Sequence, residues 1–379
     1  MPIFRNDDQK MFADSLARFF QNAYDIPKRR KIVATEPGFE KSTWTDLAGL
    51  GAMAIALPEA HGGLGGGSLD QAIVMEAIGR SLFASPYLST VVLAGSLLEQ
   101  AGGSAAAAHL AAIAEGKRQV AVAYAEPRGR YDLENVSTMA RTDGAGYRLE
   151  GKKAVVLYAG TADALIVSAR TSGSQRDANG ITLFLVDPKA DGIDARNYAT
   201  IDGQWASDIS FSGVKLGKDA VLGEVGNGLP LLEAMTERAI AASAAEATGA
   251  MWYLYETTLA YLKTRKQFGQ AIGSFQVVQH RMADVYTACE LAQSAALGAA
   301  MALGERDPAE RRRRVSGAKM QISKLGRQVT QESIHLHGGM GMTDELSVGH
   351  YAKRVTMITQ SFGDANYHMA RYVAAIRAA

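Results

Sequence analysis

The sequence is poor in cysteine. Its 379 residues contain one, Cys289, so no disulfide can form within the chain. Such cysteine usage is typical of proteins that fold in a reducing compartment, and we therefore expect a cytoplasmic protein. Cys289 lies among apolar residues at helical spacing, which predicts a buried and unreactive thiol rather than a nucleophile.

Net charge and long apolar runs are also lacking. The 40 basic and 39 acidic side chains nearly cancel, leaving a formal charge of +1. The chain as a whole therefore has no field that would attract nucleic acid or an anionic membrane, although a local basic patch could bind a phosphorylated ligand. The longest apolar stretch, residues 87–98, is too short to cross a bilayer, and acids at Asp7 and Asp8 do not fit a targeting signal. These absences predict a soluble protein.

The order of sequence patterns predicts an α+β protein of three domains. Residues 1–118 show helical spacing and form an N-terminal α-helical domain. Residues 119–225 contain short apolar runs separated by turn clusters, which predicts a middle β barrel or sandwich. Residues 226–379 contain four long amphipathic segments with short links, which predicts a C-terminal four-helix bundle. The four predicted helices are 229–265, 274–304, 308–337 and 347–378.

The most informative segment links the first two predicted helices of the bundle. It reads Arg-x-x-Phe-Gly-x-x-Ile-x-x-Phe-Gln from Arg265 to Gln276. A guanidinium is suited to bidentate contact with a diphosphate, Phe268 offers a flat surface to a ring, and glycine lets backbone approach closely. From composition alone, a helix end with cations and a glycine cap explains the same residues.

Two further segments belong with this one. His335 to Gly341 matches a Gln-x-x-Gly-Gly-x-Gly turn with histidine at the glutamine position, and Ala125-Glu126-Pro127 opens the β domain. With these motifs the whole chain resembles the acyl-CoA dehydrogenases, whose order of helical, β and helical domains is the same. Its ending, from Gly349 to Ala365, resembles the small subunits of heteromeric members such as pimeloyl-CoA dehydrogenase.

The resemblance implies FAD as the cofactor and dehydrogenation of an acyl-CoA thioester as the reaction. It also implies an electron-transfer flavoprotein as the electron acceptor, and assembly as a dimer of dimers. In the family the segment after the first bundle helix crosses a dimer interface and holds the FAD diphosphate of the neighbouring chain. By resemblance, the residues that contact a neighbour's FAD are Arg265, Phe268, Gln276, His335, Gly338 and Gly339.

The usual catalytic base of the family has no counterpart in this sequence. The reaction needs a carboxylate that removes the α-proton in a dry site. Ungapped counting from Gly338 brings the usual Glu-Gly-Thr turn to Phe362-Gly363-Asp364, and a phenyl ring cannot accept a proton. Asp364 is close by, but its side chain is one bond shorter than that of glutamate.

Other members carry the base on the first bundle helix, followed by arginine. Ungapped counting brings that pair to Ala239-Ile240, two residues after Glu237-Arg238. Two helical residues rotate a side chain by about 200°. Glu237 is therefore a catalytic candidate that needs a bulge or a shifted helix start to face the substrate.

The flavin side of the β domain departs from the family as well. The usual Gly-Ser-Asp is here Arg130-Tyr131-Asp132, and the usual Trp-x-Thr aligns with Val155-Val156-Leu157. Tyr131 would intrude where a small hydroxyl normally admits the ring, and Leu157 has no hydrogen-bond donor. Departures at both base positions and both flavin motifs predict that the flavin pocket of this chain is not used.

Three hypotheses follow. In the first, the chain is the small subunit that completes the FAD site of a larger catalytic acyl-CoA dehydrogenase subunit. In the second, it is a self-sufficient enzyme with Glu237 or Asp364 as a relocated base; in the third, it is a scaffold without catalysis. The narrower resemblance indicates bulky or dicarboxylic acyl-CoA substrates, such as pimeloyl or steroid side-chain thioesters.

Two remaining patterns are interpreted as structural. His335 and His337 are two apart and would face different sides of a helix, so no metal site is predicted. Four arginines, 311–314, follow a predicted helix start and would be spread around the helix as a solvated surface.

Overall fold

A computed structural model of the chain describes residues 5–378. Residues 1–4, part of the N-terminal segment for which no targeting signal is predicted, and residue 379 lie outside the described part. The helices are α1 (Asp7–Ala23), α2 (Ile26–Val33), α3 (Lys41–Gly49), α4 (Ser68–Ser81), α5 (Gly95–Ala101), α6 (Gly103–Ala114), α7 (Leu229–Thr264), α8 (Gln276–Ala302), α9 (Pro308–His337), α10 (Ser347–Gln360) and α11 (Ala365–Ala378). The strands are β1 (Val120–Ala123), β2 (Met139–Asp143), β3 (Gly146–Leu157), β4 (Ala164–Arg170), β5 (Ile181–Val186), β6 (Ile193–Ala199), β7 (Trp205–Leu216), β8 (Val221–Leu222), β9 (Lys266–Gln267) and β10 (Gln270–Ala271). A π-helix, Leu88–Ala94, precedes α5.

The chain folds into two compact units. The helical unit contains the chain up to Arg29, Ser68–Phe83 and the chain from Ile240 onward; the sheet unit contains Arg30–Gly67 and Ala84–Ala239. The boundaries near 118 and 225 stay a sequence-based prediction. Among the described residues, none of the helices combines the length and apolarity needed to cross a bilayer.

Helices α7, α8 and α9 confirm the first three predicted helices of the C-terminal part. The prediction of a single fourth helix over 347–378 is wrong, because that stretch forms α10 and α11 with a turn between them. Phe362 and Gly363 have φ angles of +59° and +113°, outside the helical region. Asp364 then caps α11 by accepting the backbone N–H of Tyr367 at 2.8 Å.

The core of the helical unit is built from small and branched side chains of α7, α8, α9 and α10. Buried alanines of α7 and α8 let the helices approach closely, with Met251, Ile322 and Val355 filling the space between them. Cys289 is fully buried in this core, with its Sγ 3.6 Å from the carbonyl oxygen of Met251. Burial raises the pKa of the Cys289 thiol to about 12, so it is protonated and unreactive at neutral pH, as predicted.

The sheet unit contains one eight-stranded sheet. Its strands follow the order β6-β7-β3-β2-β4-β5-β8, and β1 pairs in parallel with β4. The apolar segments 147–149 and 154–157 are parts of one long strand, β3, which bulges between Lys153 and Val156. Strands β2, β6 and β7 alternate between apolar and polar residues and contain no continuous apolar run, so apolar runs alone cannot predict them.

The barrel alternative for this region is wrong. Closure would require the two end strands, β6 and β8, to pair with each other, and no such pairing exists among the described strands. Strand β8 has two residues, and β6 is largely exposed, so these edges have neither the length nor the apolar face that closure needs. The sheet is open.

Candidate functional site

A short hairpin carries the motif residues that follow α7. Strands β9 and β10 pair antiparallel, with Gln267 opposite Gln270, so Phe268 and Gly269 form a two-residue turn. Both have positive φ angles, +51° and +79°, as the tightest hairpin turns require. A phenylalanine in this conformation is strained, and the hairpin holds its ring 91% exposed instead of packing it into the core.

Arg265 and Gln276 flank this hairpin. Arg265 directly follows α7, and its carbonyl oxygen accepts the N–H of Ile272 at 2.9 Å, which closes the base of the loop. Gln276 is the first residue of α8. The side chains of both residues are exposed. The loop therefore presents a guanidinium, an aromatic ring and an amide to an external ligand.

The second motif lies at the C-terminal end of α9. His337 is the last helical residue, and Gly338 follows with φ +62°, which explains why glycine occupies that position. A Cβ atom placed on Gly338 or Gly339 would meet nothing within 4 Å. His335 is exposed in the last turn of the helix. This turn is an open backbone surface that a ligand could approach.

A pair of stacked rings brings the two motifs to the same end of the helical unit. The rings of Tyr261 and His337 lie 4.4 Å apart and 25° from parallel. Tyr261 is one turn before Arg265, whose N–H donates to the Tyr261 carbonyl at 2.8 Å. An ion pair at 2.9 Å between Arg281 of α8 and Glu332 of α9 joins the other helix at this end. The structure thus places all six predicted contact residues on three adjoining helix ends.

Neither ring of the stacked pair was assigned a function from the sequence. His337 was weighed there as a metal ligand and rejected. Its Nδ1 lies 2.8 Å from the Ser333 carbonyl oxygen, and donation to that carbonyl fixes the ring against Tyr261. The sequence could have suggested this pair from its spacing. Tyr261 lies one helical turn before Arg265, and His337 comes directly before Gly338. Among the described residues no group of three metal-binding side chains occurs.

The turn at the usual base position, residues 362–364, packs against the core of the helical unit. Phe362 packs against Ile240, Ala302 and Val315. Gly363 lies against His368, and a Cβ at this glycine would be 2.5 Å from the His368 Nε2 atom. Asp364 is committed to capping α11. This turn is therefore a packed structural element rather than an exposed carboxylate.

Glu237 lies on the part of α7 that belongs to the sheet unit. Helix α7 is continuous from Leu229 to Thr264, so neither the bulge nor the shifted start that would reorient Glu237 occurs. The Glu237 side chain is 5% exposed. At the position of the alternative base, Ala239 and Ile240 are buried. A catalytic role for Glu237 stays a prediction.

The bulge of β3 marks the position of the usual Trp-x-Thr. Val155 has φ +54°, and its side chain is half exposed. Its N–H donates to Asp208 at 3.2 Å, and Asp208 also accepts from Tyr198 and pairs with Arg196, both at 2.9 Å. Burial tends to raise the pKa of Asp208, but these hydrogen bonds and the Arg196 charge hold it below its usual value. The exposed side chain here is aliphatic and offers a ring no hydrogen bond.

The Glu126 motif has a structural role that the sequence did not reveal. Its carboxylate accepts the N–H groups of Ser137 and Thr138 at 2.8 and 3.0 Å, and it pairs with the buried Lys153 ammonium at 2.8 Å. Burial alone would raise the pKa of Glu126, but Lys153 and the hydrogen bonds lower it to about 2. Burial lowers the pKa of Lys153 to about 8, with Glu126 opposing the shift. The pair fixes β3 to the segment before β2.

Comparison with known proteins gives a consistent result along the whole chain. Three acyl-CoA dehydrogenase models match in order: the N-terminal domain over residues 6–117, the middle domain over 121–214 and the C-terminal domain over 226–376. CarC, a subunit of the caffeyl-CoA reductase-Etf complex of Acetobacterium woodii, is 29% identical over 347 residues, or 90% of this chain and 91% of CarC.

Two solved structures are similar over nearly their full lengths. A variant of the Tcur3481-Tcur3483 steroid ACAD is 28% identical with a TM-score of 0.88, covering 98% of each chain. The ChsE4-ChsE5 complex from Mycobacterium tuberculosis is 25% identical with a TM-score of 0.87, covering 100% of each chain.

Proposed function

The chain belongs to the acyl-CoA dehydrogenase family, and we propose that it is the small subunit of a heteromeric enzyme of this family. Such an enzyme dehydrogenates an acyl-CoA thioester, and this chain completes the FAD site of a larger catalytic partner. One contrast carries the proposal. Phe268 is exposed on a preformed hairpin, whereas Phe362 occupies the base position and packs into the core.

The exposed end of the helical unit fits FAD. Proteins of this family bind FAD, which supplies a hydride acceptor when bound. Arg265 would hold diphosphate oxygens, because guanidinium groups bind phosphate bidentately. Phe268 would pack against a ring, and Gln276 and His335 would supply hydrogen bonds. In the described part of the chain, no atom lies within 4 Å of a Cβ placed on Gly338 or Gly339, so the backbone there is open to a ligand.

The base would come from the partner subunit. The competing hypothesis, a self-sufficient enzyme with Glu237 or Asp364 as base, has less support. Asp364 is occupied as a helix cap, and α7 is regular around Glu237. A carboxylate must reach the α-carbon of the substrate to act as a base, so geometry weighs against both residues before any question of pKa.

Relatives support the heteromeric assembly and suggest a substrate class. CarC is named as a subunit of a complex with an Etf component, and ChsE4-ChsE5 is named as a complex. We accordingly propose an electron-transfer flavoprotein as the acceptor, a dimer of dimers as the assembly and the cytoplasm as the location. The steroid ACAD favours a bulky acyl-CoA, such as a steroid side-chain or dicarboxylic thioester.

Flavin content tests the proposal. The chain expressed alone should bind little FAD and show no dehydrogenation. Co-expressed with an acyl-CoA dehydrogenase that has an intact base, it should form a yellow complex with about one FAD per pair of different chains, since a two-fold interface creates two sites and one is degenerate. Full FAD loading and turnover by the lone chain would establish the self-sufficient enzyme instead. A co-purified complex without FAD would favour the scaffold.

Arg265→Gln tests the half-site itself. Loss of a charge-assisted hydrogen bond to the diphosphate should weaken FAD binding by the complex about 10- to 100-fold. Dialysis against increasing FAD, followed by absorbance at the flavin band, measures this change. Arg18→Gln is the matched control, because Arg18 is an exposed arginine on α1 of the same unit. Equal FAD affinity in the two variants would remove Arg265 from the site.

A further inference from the structure

The sheet unit contains a cavity of about 550 Å³ that no step of the proposed reaction uses. One wall is His109 of α6, and Arg118 lies just before β1. The remaining walls are residues 160–164, between β3 and β4, and residues 185–189, at the end of β5. Cavities of this size are typical of sites for small metabolites.

Strand pairing explains why polar groups collect at this cavity. Strands β1 and β4 are parallel and start side by side, at Val120 and Ala164. Just before these starts, Gln119 and Asp163 exchange two hydrogen bonds of 2.8 Å: the Asp163 N–H donates to the Gln119 carbonyl, and the Gln119 N–H donates to the Asp163 carboxylate. The residues preceding both strands are thereby held at the cavity.

Among the described residues, the guanidinium of Arg118 has no hydrogen-bond or ion-pair partner, although a half-buried guanidinium normally has one. Its side chain is half-buried, yet its guanidinium has no hydrogen bond or ion pair to any residue between 5 and 378. Within the described part of the chain, neither Asp163 nor Asp187, which also line the cavity, forms an ion pair with it. One oxygen of Asp163 accepts the Gln119 N–H, and one oxygen of Asp187 accepts the Lys189 N–H at 2.9 Å. Partly buried guanidinium groups are usually paired with carboxylate or phosphate.

His109 provides a second and independent indication. It is 7% exposed, and its Nδ1 atom is buried without a hydrogen-bond partner in the described structure. Burial lowers the pKa of His109, and the neighbouring Arg118 charge lowers it further, while Asp163 opposes the shift. A buried imidazole nitrogen without a partner is uncommon in folded proteins. An anionic ligand in the cavity would give the Arg118 guanidinium a partner beside His109.

We propose that this cavity binds a small organic oxyanion that also carries hydroxyl groups. The oxyanion, a phosphate or a carboxylate, pairs with Arg118, and Lys189 at the rim adds a second cation. The second oxygens of Asp163 and Asp187 have no donor within the described part of the chain and accept hydroxyls of the ligand. Sugar phosphates and polyhydroxy acids have this combination of groups. The site needs neither FAD nor a partner subunit.

Calorimetric titration of the full chain at low ionic strength tests the site. Ribose 5-phosphate and gluconate are the probes for the phosphate and carboxylate forms, and ribose and inorganic phosphate report hydroxyl groups and charge separately. We expect ribose 5-phosphate or gluconate to bind at least 10-fold more tightly than ribose or inorganic phosphate. The tighter of the two identifies the oxyanion. No saturable binding of either probe at millimolar concentration would overturn the proposal.

Arg118→Met should weaken binding of the successful probe at least 10-fold, whereas Arg176→Met, a change at an exposed arginine of the same unit, should not. Equal weakening in the two variants, or none, would mean an adventitious ion only. Should Arg118→Met fail to fold, the wild-type chain with 15N-labelled histidine gives the answer. Addition of the probe should shift the His109 ring signals, identified from His109→Gln, and unchanged signals at saturation would overturn the site.

Discussion

Phe362 shows how one residue can change the role of a whole turn. By ungapped counting the family's carboxylate would fall here, and in this chain the phenyl ring at this position packs against Ile240, Ala302 and Val315. With φ +59°, the residue is strained, and its apolar contacts offset that strain. A residue pointing into the core cannot also face a substrate.

His368, beside this turn, is a buried neutral histidine. It is 2% exposed, with its Nε2 atom 2.9 Å from the Phe362 carbonyl oxygen, to which it donates. Burial lowers its pKa to about 4, with Lys319 and Arg371 adding to the shift, while the hydrogen bond to Phe362 and the Asp364 charge oppose it. Protonation of His368 therefore favours the unfolded chain.

His368 should make the protein sensitive to acid. Its pKa is about 4 in the folded chain and 6.5 ordinarily, so the unfolded chain binds more protons between these values. The free energy of unfolding should consequently fall as the pH falls from 6.5 to 4, by about 3 kcal/mol in total. His368→Gln, which keeps a donor for Phe362, should remove this part of the pH dependence. Urea unfolding at several pH values measures it.

The comparison between variants isolates His368 from other titrating groups. His109, whose pKa is also lowered, contributes equally to wild type and variant. Glu126, whose pKa in the folded chain is about 2, affects the pH dependence of unfolding only below pH 4.5. His350→Gln, on α10 of the same unit, is the control and should keep the wild-type profile. An unchanged profile in His368→Gln would contradict the assignment.

At the scale of elements, two glycines let α4 and α7 approach at backbone distance. A Cβ on Gly79 would lie 1.9 Å from the Glu246 carbonyl oxygen, and one on Gly249 would lie 2.0 Å from the Glu76 carbonyl oxygen. Neither clash can be relieved by rotating a side chain. The same crossing carries a buried bidentate ion pair to α10, in which Arg354 donates to Glu246 at 2.6 and 2.7 Å.

Gly249→Ala should destabilise the chain by about 1–3 kcal/mol, because the helices must separate to admit the methyl group. Gly298→Ala is the matched change, since Gly298 lies within α8 and an added Cβ would meet nothing within 4 Å. It should stabilise the chain by up to about 1 kcal/mol through higher helix propensity. Denaturation midpoints of the two variants should shift in opposite directions. Shifts of the same sign would refute the close crossing.

The ends of α7 and α9 form a second pair of coupled elements. The Tyr261–His337 stack lies one turn before Arg265 and directly before Gly338. Tyr261→Leu should therefore lower the FAD affinity of the assembled complex, about 10-fold, by loosening the hairpin relative to the glycine turn. Tyr261→Phe keeps the ring and should preserve FAD affinity.

A measurement that does not involve FAD can show whether the Tyr261–His337 stack positions the hairpin relative to the glycine turn. Spin labels at Gln267 and Met342, both exposed, report the distance between hairpin and turn in the lone chain. The distance distribution should broaden in Tyr261→Leu and stay narrow in Tyr261→Phe. Identical distributions in both variants would show that the stack does not position these segments, whatever the flavin result.

At the scale of the whole molecule, the residues that the proposal assigns to a neighbour's FAD site are exposed, whereas Phe362 packs against the core. Arg265, Phe268 and Gly338 are exposed in the described structure. The prediction that the four consecutive arginines form a solvated surface holds only for Arg314, which is exposed. Residues 311–313 are half-buried, and Glu310 pairs with Arg313 and Arg314 at 2.7 Å.

The sequence by itself determined the family, the helical, β and helical order and the first three C-terminal helices. Those features rest on local patterns: apolar periodicity, turn residues and a motif of fixed spacing from Arg265 to Gln276. The departures at Phe362 and Val155 were also readable, because they are changes of residue type at counted positions.

Tertiary structure alone decided where those residues face and what they contact. The open sheet, the Tyr261–His337 stack and the absence of a partner for Arg118 in the described part of the chain all depend on residues distant in sequence. Local propensity cannot report them, because a positive φ, a strand partner or a missing counterion is set by packing against other elements.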